Sequence, residues 1–534
     1  MSNYFVEVAP AIPLPYSQRQ TYTYHFETKP AEDVLYKIVT VSFGRRKNIK
    51  GVIVAITDKK VSYKTQPAIL APYPALTERQ VALGQWISHT MQGSLGFTLR
   101  LFMPTGRSIQ ADVPTQAHVI QKTMPQAYVA ADWQKRTRKL YEEIKKKLNN
   151  KQQVLIIVPE KWIAERLYIF FNKKNVENIV QVHGALSPKK FSSIWKDVYE
   201  NKARLIIGTQ KALFLPFCSL HMVVLEEEAF TSHTLDEQYP RLSNWYGTKK
   251  LASLFSSELV YTSSMPSVRL MYGLREKKIE SVMNEIKQPK ISIIHLTYED
   301  KRKRYMMPPQ LLKNVRTWAK NKEKIVILYN RLSNEKITDV IQKFLPRSVK
   351  LVRFNAASAA EDVAKGLVIL GTSAVLPYVE ELSFDRVVWL FPEGSLLYSD
   401  FRSRERTLST LSRLYGNVSA GKEVMVITKY PNLIKERLAG SIETFFDEEL
   451  KERQRLFLPP YSDMIRLQSS RGALIRKQIM DRHAENKEAI KIRGPIQGYI
   501  VLFGRLAYLK RLYTGLAIES VDLDPPHILE QAKK

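Results

Sequence analysis

The N-terminal part of the chain contains segments in which apolar and polar residues alternate, the pattern of β-strands that have one buried face. Residues 35–43 and 49–56 show it most clearly, and the five residues between them predict a turn. Thr77 is expected to cap a helix that runs to about Met91. Residues 1–105 are therefore predicted to form a small β-barrel domain that ends in a helix. Small barrels of this kind often bind nucleic-acid strands.

After a turn-rich stretch at residues 105–125, which predicts a linker, the pattern changes to an alternation of helices and buried strands. A helix is predicted for residues 133–149, because Leu140, Ile144 and Leu148 fall on one face. Short apolar runs predict strands at residues 154–158, 205–207, 222–225, 259–262, 325–328, 349–353, 367–370, 387–390 and 424–427. Such alternation is typical of a parallel sheet covered by helices.

The alternating pattern occurs twice, so the predicted fold class is α/β with two tandem lobes, at residues 106–288 and 289–435. Residues 436–534 are expected to form a smaller C-terminal α+β domain. Tandem α/β lobes are typical of helicase motors, which bind ATP between the two lobes. With the N-terminal barrel, the chain is therefore expected to have four domains.

The charge of the chain is strongly unbalanced, with 82 Lys and Arg residues against 52 Asp and Glu residues. The formal net charge of +30 predicts a polyanionic partner, for which nucleic acid is the first candidate. An anionic membrane surface is the second candidate, and a merely basic soluble protein is the third interpretation. Charge alone does not separate DNA from RNA.

The chain has one cysteine, Cys218, so it can form neither an internal disulfide nor a zinc site built from cysteines. Residues 1–8 lack the features of a signal peptide, and no apolar run approaches the roughly 20 residues that span a bilayer. We therefore expect a cytoplasmic protein without a membrane partner.

Short motifs occur in both lobes and near both ends of the chain. They are residues 12–15, 22–24, 208–217, 225–229, 238–241, 263–267, 329–331, 399–406, 449–461, 493–495 and 521–525. In sequence and in order they resemble the PriA family of replication-restart DNA helicases. Residues 399–406, for example, read SDFRSRER where the family has PDFRAxER. Residues 208–214 read GTQKALF where the family has GTRSAIF.

The resemblance implies two tandem RecA-like helicase lobes, an N-terminal β-barrel DNA-binding domain and a C-terminal α+β domain. It also implies an N-terminal pocket that holds the 3′ end of a nascent DNA strand at a replication fork. In that pocket an aromatic ring stacks on the terminal base, while a glycine backbone and a lysine meet the sugar and phosphate. By position these residues are Tyr22, Gly44 and Lys64.

The pocket departs from the family in one place. Thr23 stands where the family has an aspartate, which puts recognition of the terminal hydroxyl in question. An alternative interpretation is that Tyr22 and Tyr24 are core residues of one strand face.

The family's phosphate-binding loop, GSGKT, is replaced here by residues 133–137, which read WQKRT. A phosphate-binding loop needs glycines, because its backbone N–H groups curl around phosphates in conformations that other residues resist. Arg136 keeps a positive charge and Thr137 keeps a hydroxyl suited to Mg²⁺, so these two residues mark a degenerate nucleotide site. The alternative interpretation is the start of a basic amphipathic helix.

Other parts of the motor are also replaced. Glu226 stands where the family has the aspartate that holds Mg²⁺, whereas Glu227 matches the catalytic carboxylate, and both are expected to be vestigial. Residues 377–378 replace a Lys-Gly pair, and Asn417 and Ala420 replace two arginines that stabilise the transferred phosphate. The family's cysteine-rich zinc module is absent. We therefore expect no catalytic residue, no metal site, and no binding of ATP or zinc.

The leading hypothesis is a protein that binds branched DNA and stalled replication forks, recruits primosome or other replication proteins, and hydrolyses no ATP. Basic residues at 301–304, together with Arg402, Arg404 and Arg406, are expected to contact phosphates or to form solvated faces. The first alternative is an active ATP-dependent 3′–5′ DNA helicase with an atypical nucleotide site. The second alternative is a scaffold whose partners are proteins, with the charge serving solubility.

Overall fold

A computed structural model describes most of the chain, and it forms two compact units. The described residues are 4–28, 30, 33–57, 63–105, 108–109, 123–234, 239–297, 307–329, 335–354, 366–372, 375–376, 379, 384–397, 400–416, 418, 423–484, 486–526 and 528. The first unit contains residues 1–126, 141–261 and 453–534, and the second contains residues 127–140 and 262–452. The finer domain boundaries at 105, 288 and 435 stay predictions of the sequence.

The N-terminal part of the first unit is a small barrel-like sheet. Its strands are β1 (Tyr4–Pro10), β2 (Tyr22–Phe26), β3 (Ile38–Phe43), β4 (Arg46–Thr57), β5 (Gln66–Pro67) and β6 (Ile69–Leu70). They lie in the order β5-β2-β1-β4-β3-β6. The two edge strands, β5 and β6, are separated in the chain by Ala68 alone, so the sheet is nearly closed. Apolar side chains of all four long strands fill its interior.

Two features of this domain bear on the predictions. The helix α1 (Glu78–Met91) begins after Thr77, whose hydroxyl accepts from the Gln80 backbone N–H in a capping box, as predicted. The predicted five-residue turn between β3 and β4 is wrong, because Phe43 already pairs with Arg46. Gly44 has a φ of +57°, which allows a two-residue turn and lets strand pairing resume at once. A short helix, α2 (Leu95–Leu99), follows α1.

The chain next forms a parallel sheet with helices, most of which belongs to the first unit. Its elements are α3 (Trp133–Asn149), β8 (Gln153–Ile157), α4 (Lys161–Asn172), β9 (Ile179–Val182), α5 (Pro188–Tyr199), β10 (Leu205–Gly208), β11 (Leu220–Leu225), α6 (Asn244–Phe255) and β12 (Glu258–Ser263), and the strand β7 (Gln126–Ala130) precedes α3. Five parallel strands lie in the order β12-β11-β8-β10-β9. Ile157 lies opposite both Gly208 and Leu225, so the carboxyl ends of β8, β10 and β11 meet at one edge.

The second unit contains another parallel sheet. The elements of this part of the chain are α7 (Val268–Arg275), β13 (Glu280–Glu285), β14 (Ile291–His295), α8 (Pro309–Lys320), β15 (Ile325–Tyr329), α9 (Glu335–Phe344), β16 (Leu351–Phe354), β17 (Val368–Gly371), β18 (Arg386–Leu390), α10 (Glu393–Leu396), α11 (Ser403–Gly416), β19 (Val424–Thr428), α12 (Pro431–Leu438) and α13 (Ile442–Leu456), of which β13 is not a strand of this sheet. Six strands lie in the order β14-β19-β18-β15-β17-β16 and are all parallel. Apolar residues of α8 and α9 cover one face of the sheet.

The C-terminal part of the first unit is a small α+β element. It consists of β20 (Asp463–Gln468), α14 (Gly472–His483), β21 (Lys491–Ile496), β22 (Tyr499–Gly504), α15 (Leu506–Tyr513) and β23 (Ser520–Leu523). Its four antiparallel strands lie in the order β21-β22-β20-β23. The Tyr513 hydroxyl donates to the Thr90 carbonyl at 2.7 Å, which ties this element to α1.

The observed strands confirm the predicted α/β fold class, with two tandem parallel sheets, an N-terminal small barrel-like sheet and a C-terminal α+β element. None of the described helices is long and apolar enough to cross a membrane. Several sequence features fall outside the described residues. They are most of the predicted linker at 105–125, the basic run 301–304, Asn330 and Arg331, residues 377–378, and the replaced arginine positions Asn417 and Ala420.

Candidate nucleic-acid interface and degenerate nucleotide site

Tyr22 lies at the rim of the N-terminal barrel, at the first position of β2. Its ring is half-buried and meets the Phe43 ring edge-on, with the ring centroids 4.8 Å apart and an interplanar angle of 76°. The Tyr22 side chain also packs against the apolar interior of the barrel. Tyr22 is therefore an aromatic ring that is fixed on one side and partly exposed on the other.

Tyr24 has a different role from Tyr22. Its side chain is only 4% exposed, and its hydroxyl donates to the Ser42 carbonyl at 2.9 Å. Burial raises the pKa of Tyr24 to about 12. The interpretation of these tyrosines as core residues thus holds for Tyr24 and only in part for Tyr22.

Gly44 immediately follows Phe43 and forms the tip of the β3–β4 hairpin. A Cβ at this position would meet no heavy atom within 4 Å among the described residues, so the space beside the backbone is open. The positive φ of Gly44 favours glycine, and the missing side chain leaves room for another backbone to approach. Arg45, Arg46 and Lys47 follow and are all exposed, which makes the hairpin tip strongly basic.

Lys64 is exposed and lies beside β2. The strands β2 and β5 are parallel, with Tyr24 opposite Gln66, and Tyr22 and Lys64 each lie two residues before that pair. The neighbouring Tyr63 hydroxyl donates to the Thr23 hydroxyl at 3.0 Å, which fixes this segment against β2. The structure therefore brings Tyr22, Gly44 and Lys64 to the same end of the barrel.

Further polar residues surround this end of the barrel and were missed by the sequence analysis. Glu7 on β1 lies directly opposite Thr23, whose hydroxyl donates to Glu7 Oε1 at 2.6 Å. Arg19 Nη2 lies 3.2 Å from Glu7 Oε2, and the Arg19 guanidinium carbon lies 5.9 Å from the centroid of the Tyr22 ring. The local signal for this cluster in the sequence is a charged residue, Glu7, between two apolar residues, Val6 and Val8, which the structure buries.

The predicted degenerate nucleotide site falls at the connection between β7 and α3. This connection consists of two residues, Ala131 and Asp132, whereas a phosphate-binding loop needs about six residues before its lysine. Arg136 is fully buried, and its Nη1 donates to the Ala130 carbonyl at 2.6 Å. Thr137 is 3% exposed, and its hydroxyl donates to the Trp133 carbonyl at 2.7 Å. Both side chains are directed into the protein.

A carboxylate lies at the start of α3. Asp132 Oδ1 accepts from the Lys135 backbone N–H at 3.0 Å, which is an N-cap interaction. A helix N-terminus attracts anions because its first N–H groups have no partner in the helix and carry partial positive charge. Asp132 therefore supplies the negative charge that a bound phosphate would supply. The Lys135 ammonium is paired with Glu285 at 2.6 Å.

The two carboxylates that are expected to be vestigial, Glu226 and Glu227, follow strand β11. Glu226 is 2% exposed and Glu227 is 1% exposed, and Glu227 has a φ of +51°. His233 Nε2 lies 2.8 Å from the Glu226 carbonyl, and its Nδ1 lies 3.0 Å from Asn244 Nδ2. Burial lowers the pKa of His233 to about 4, so the imidazole is neutral at pH 7. Its position fixes the backbone that carries Glu226.

A cleft of about 810 Å³ lies in the first unit at the carboxyl ends of β8, β9 and β10. Ligands of α/β sheets bind at this edge of the strands. Its lining includes three basic residues, Arg100, Lys161 and Lys211. The Lys211 ammonium lies 4.2 Å from the centroid of the Phe191 ring, and burial lowers the pKa of Lys211. Because Glu160 is the acidic residue of the same lining, the cleft keeps an excess of positive charge beside the motif 208–214.

The arginines of the motif 399–406, which were expected to contact phosphates or to form solvated faces, lie beside carboxylates and an aromatic ring. Arg404 Nη1 lies 2.7 Å from Glu448, and the Arg404 side chain is 14% exposed. Arg406 Nη2 lies 3.6 Å from Asp400. Arg402 stacks on Phe401 at 4.5 Å from the ring centroid. The guanidinium groups of Arg404 and Arg406 are thus engaged within the second unit, because carboxylates from neighbouring helices and turns approach them.

The described residues were searched for side chains that could bind a metal ion. Among them, no three His, Cys, Asp or Glu side chains are grouped so that they could hold a metal ion. Cys218 is buried, and burial raises the pKa of its thiol to about 11.

Comparison with known families and proteins gives the following similarities. Residues 8–104 match the family model of the PriA 3′ DNA-binding domain. The chain is 21% identical over 396 residues to the replication restart protein PriA of Borreliella burgdorferi, covering 59% of each protein. It is 20% identical over 404 residues to that of Bacillus subtilis, covering 60% of this chain and 50% of the relative.

A third relative, the replication restart protein PriA of Rickettsia felis, is 27% identical over 187 residues, which cover 34% of this chain and 28% of the relative. The matched part thus spans between 28% and 59% of the length of these curated relatives.

Two solved structures have a distant similarity. The helicase MrfA bound to DNA and AMPPNP has a TM-score of 0.41 at 12% identity, covering 69% of this chain and 51% of that chain. RecG bound to a three-way DNA junction has a TM-score of 0.40 at 15% identity, covering 71% and 47%. These scores are too low to support an inference about function.

Proposed function

We propose that this chain, which is a divergent PriA-like protein, binds branched DNA and stalled replication forks through the 3′ end of a DNA strand. It would recruit primosome or other replication proteins there and would hydrolyse no ATP. The observation that carries the proposal is the rim of the barrel, where Tyr22, Gly44 and Lys64 lie at one end of a domain that matches a 3′ DNA-binding family.

The rim offers the three contacts that an unpaired strand end needs. The partly exposed face of Tyr22 can stack on a terminal base, and Phe43 holds the ring in place. The open space beside Gly44 admits the sugar-phosphate backbone. Lys64 and the basic hairpin tip supply charges for phosphates, which position the strand without reading its sequence.

The cleft at the carboxyl ends of β8, β9 and β10 is a second DNA-binding surface in this proposal. It lies in the same compact unit as the barrel, and its lining includes Phe97 and Arg100 from the N-terminal part of the chain. Lys161 and Lys211 would contact phosphates of the same strand. In this proposal the cleft takes the phosphate-binding role that the sequence suggested for the arginines of the motif 399–406, because Arg404 and Arg406 are paired with carboxylates of the protein.

The absence of ATP hydrolysis is supported by the connection between β7 and α3. A γ-phosphate at the start of α3 would meet the Asp132 carboxylate at close range, and like charges repel. Arg136 and Thr137 bond to backbone carbonyls of the protein instead of facing outward. Phosphoryl transfer depends almost entirely on positioning and charge stabilisation, so a protein without the loop lacks the main source of catalysis. The proposal likewise includes no zinc-binding site.

A titration of forked DNA tests the proposal directly. One fork carries an unpaired 3′ end of the nascent leading strand at the branch point, and a matched fork lacks that strand. We expect tighter binding to the first fork, and an affinity for both that falls steeply with salt, with a log–log slope of about −0.9 per neutralised phosphate on duplex DNA. Equal affinity for the two forks would contradict 3′-end binding. A flat salt response would favour the protein-scaffold alternative.

A further inference from the structure

The helix α8 of the second unit has one apolar side and one basic side. Its apolar side chains are buried and pack with strands of the sheet in one core cluster. Its exposed side carries Lys313, Arg316 and Lys320, and none of the 12 residues of the helix is Asp or Glu. The helix therefore presents three positive charges and no negative charge on its outer surface. These three residues are called the α8 stripe.

The cations of the α8 stripe follow the helix axis. An α-helix turns by about 100° per residue, so the three positions fall within an arc of about 60°. With a rise of about 1.5 Å per residue, Lys313 and Lys320 are about 10 Å apart along the axis, and Arg316 lies between them. One strand of a DNA duplex carries a phosphate about every 3.4 Å along the duplex axis. The stripe is therefore as long as about three phosphate intervals of one strand.

The charges of the α8 stripe are not neutralised by the protein. None of its three side chains forms an ion pair with a described residue, whereas the exposed helices α4 and α5 carry lysines that pair with a glutamate four residues later. Lys320 lies in the last turn, where a cation stabilises the helix through its dipole. Lys313 lies in the second turn, so the dipole does not account for its charge.

The surface of α8 suits a duplex better than an unpaired strand. Proteins that hold single strands combine basic residues with aromatic rings on which bases stack. The aromatic residue of α8 is Trp318, which is half-buried, and the Arg386 guanidinium lies over its ring at 5.0 Å from the centroid. Glu323 holds that guanidinium at 2.6 Å. A duplex keeps its bases paired inside and presents phosphates, which cations contact without a stacking platform.

We propose that the α8 stripe binds the phosphate backbone of a duplex DNA arm. The contact is independent of base sequence, because it reaches no base edge. It gives the second unit a DNA contact of its own, which Arg404 and Arg406 do not supply because carboxylates of the protein pair with them. The inference goes beyond the proposed 3′-end binding, since the rim and the cleft both belong to the first unit.

The first test replaces Lys313, Arg316 and Lys320 together by Gln, which keeps long side chains and good helix formers. The ligand is a duplex closed at both ends by hairpin loops, so that it offers no 3′ end, and binding is measured by fluorescence anisotropy over a range of salt concentrations. We expect the log–log slope to become shallower by up to about 2.7, which is about 0.9 for each phosphate. The same relation predicts a roughly eightfold loss of affinity for each lost contact at 0.1 M salt relative to 1 M salt.

A matched control removes the same amount of charge elsewhere. Lys145, Lys173 and Lys174 are exposed and lie on α3 and just after α4, away from the rim and the cleft. Their replacement by Gln should leave the salt slope close to that of the wild type. An unchanged slope in the stripe variant would show a merely solvated face, and equal effects of the two variants would show a general effect of charge. Equal losses on oligothymidylate and on the closed duplex would assign the stripe to single strands. Each of these three outcomes overturns the inference.

Failure of this inference and failure of 3′-end binding give different results. The stripe variant should keep the wild-type preference for a fork with a 3′ end, because the rim is unchanged. A wild type without that preference contradicts 3′-end binding alone, whereas a stripe variant with full duplex affinity contradicts the role of α8 alone. The melting temperature shows whether the stripe variant folds. If it does not, Lys313→Gln and Arg316→Gln are tested singly, and each should reduce the slope by about 0.9.

Discussion

Replacing Tyr22 by Ala removes the proposed stacking platform at the barrel rim. Stacking of one base on an aromatic ring contributes about 1–3 kcal/mol, so we expect affinity for forks with a free 3′ end to fall by roughly ten- to a hundredfold. Forks without that end should bind the variant and the wild type alike, because the basic cleft and the hairpin tip supply that affinity. The measurement is a pair of anisotropy titrations at one fixed salt concentration.

The structure also predicts an effect of Tyr22→Ala on stability, which has to be separated from binding. The Tyr22 ring packs edge-on against Phe43, and such an aromatic pair contributes about 0.5–1.5 kcal/mol beyond area burial. The variant should therefore melt at a somewhat lower temperature than the wild type while still folding. Tyr22→Phe keeps the ring and should keep both the stability and the preference for a 3′ end.

Tyr24→Phe is the matched structural control. It removes the buried hydroxyl that donates to Ser42 and leaves that carbonyl without this donor, which costs about 1–3 kcal/mol of stability. Its preference for forks with a 3′ end should match that of the wild type, because Tyr24 is 4% exposed and points into the barrel. If Tyr22→Ala folds and retains the full 3′-end preference, the stacking role of Tyr22 is refuted. Equal losses on both forks would indicate a purely structural role.

The remaining predictions concern charge, ATP and zinc. Replacing Arg45, Arg46 and Lys47 by Ala should make the salt dependence shallower, by about 0.7–0.9 in log–log slope for each phosphate that these side chains neutralise in the wild type; an unchanged slope would show that the hairpin tip does not meet DNA. The wild type should show no DNA-stimulated ATP hydrolysis. The variant Glu227→Gln should bind DNA and should show the same absence of ATP hydrolysis. A wild-type ATPase activity that this substitution abolishes would favour the helicase alternative. Purified protein should contain no stoichiometric zinc by metal analysis, and one zinc per chain would contradict that expectation.

The sequence predicted those elements whose signals are local. The helix at 133–149 was predicted with the bounds that α3 has, because its apolar spacing and its basic face lie within the segment itself. The capping residue Thr77 was likewise identified, since a capping box spans four consecutive residues. The nine strands predicted in the two lobes were each observed to within a few residues, because continuous apolar runs are typical of parallel strands. The strands β7, β9, β13 and β14 were not predicted.

The rest depends on contacts between residues that are distant in the sequence. Glu7 and Thr23 are brought together by the register of β1 and β2, which alternation alone does not fix. Arg404 meets Glu448 through helix packing, so the sequence showed only an arginine-rich motif where the structure has ion pairs. Asp132 is an exception, because an aspartate just before a predicted helix is a local capping signal that the sequence alone could have revealed.

If the protein hydrolyses no ATP, as we propose, the carboxylate at the start of α3 has a consequence for the release of DNA. A helicase that binds and hydrolyses ATP alternates between states of different DNA affinity, and hydrolysis supplies the free energy for dissociation. If Asp132 holds the place of the phosphate permanently, the protein has one nucleotide state, and its residence time on a fork is set by a single dissociation rate that no ATP cycle changes. A salt-dependent affinity then makes release depend on ionic strength, and proteins that compete for the same 3′ end prevent rebinding.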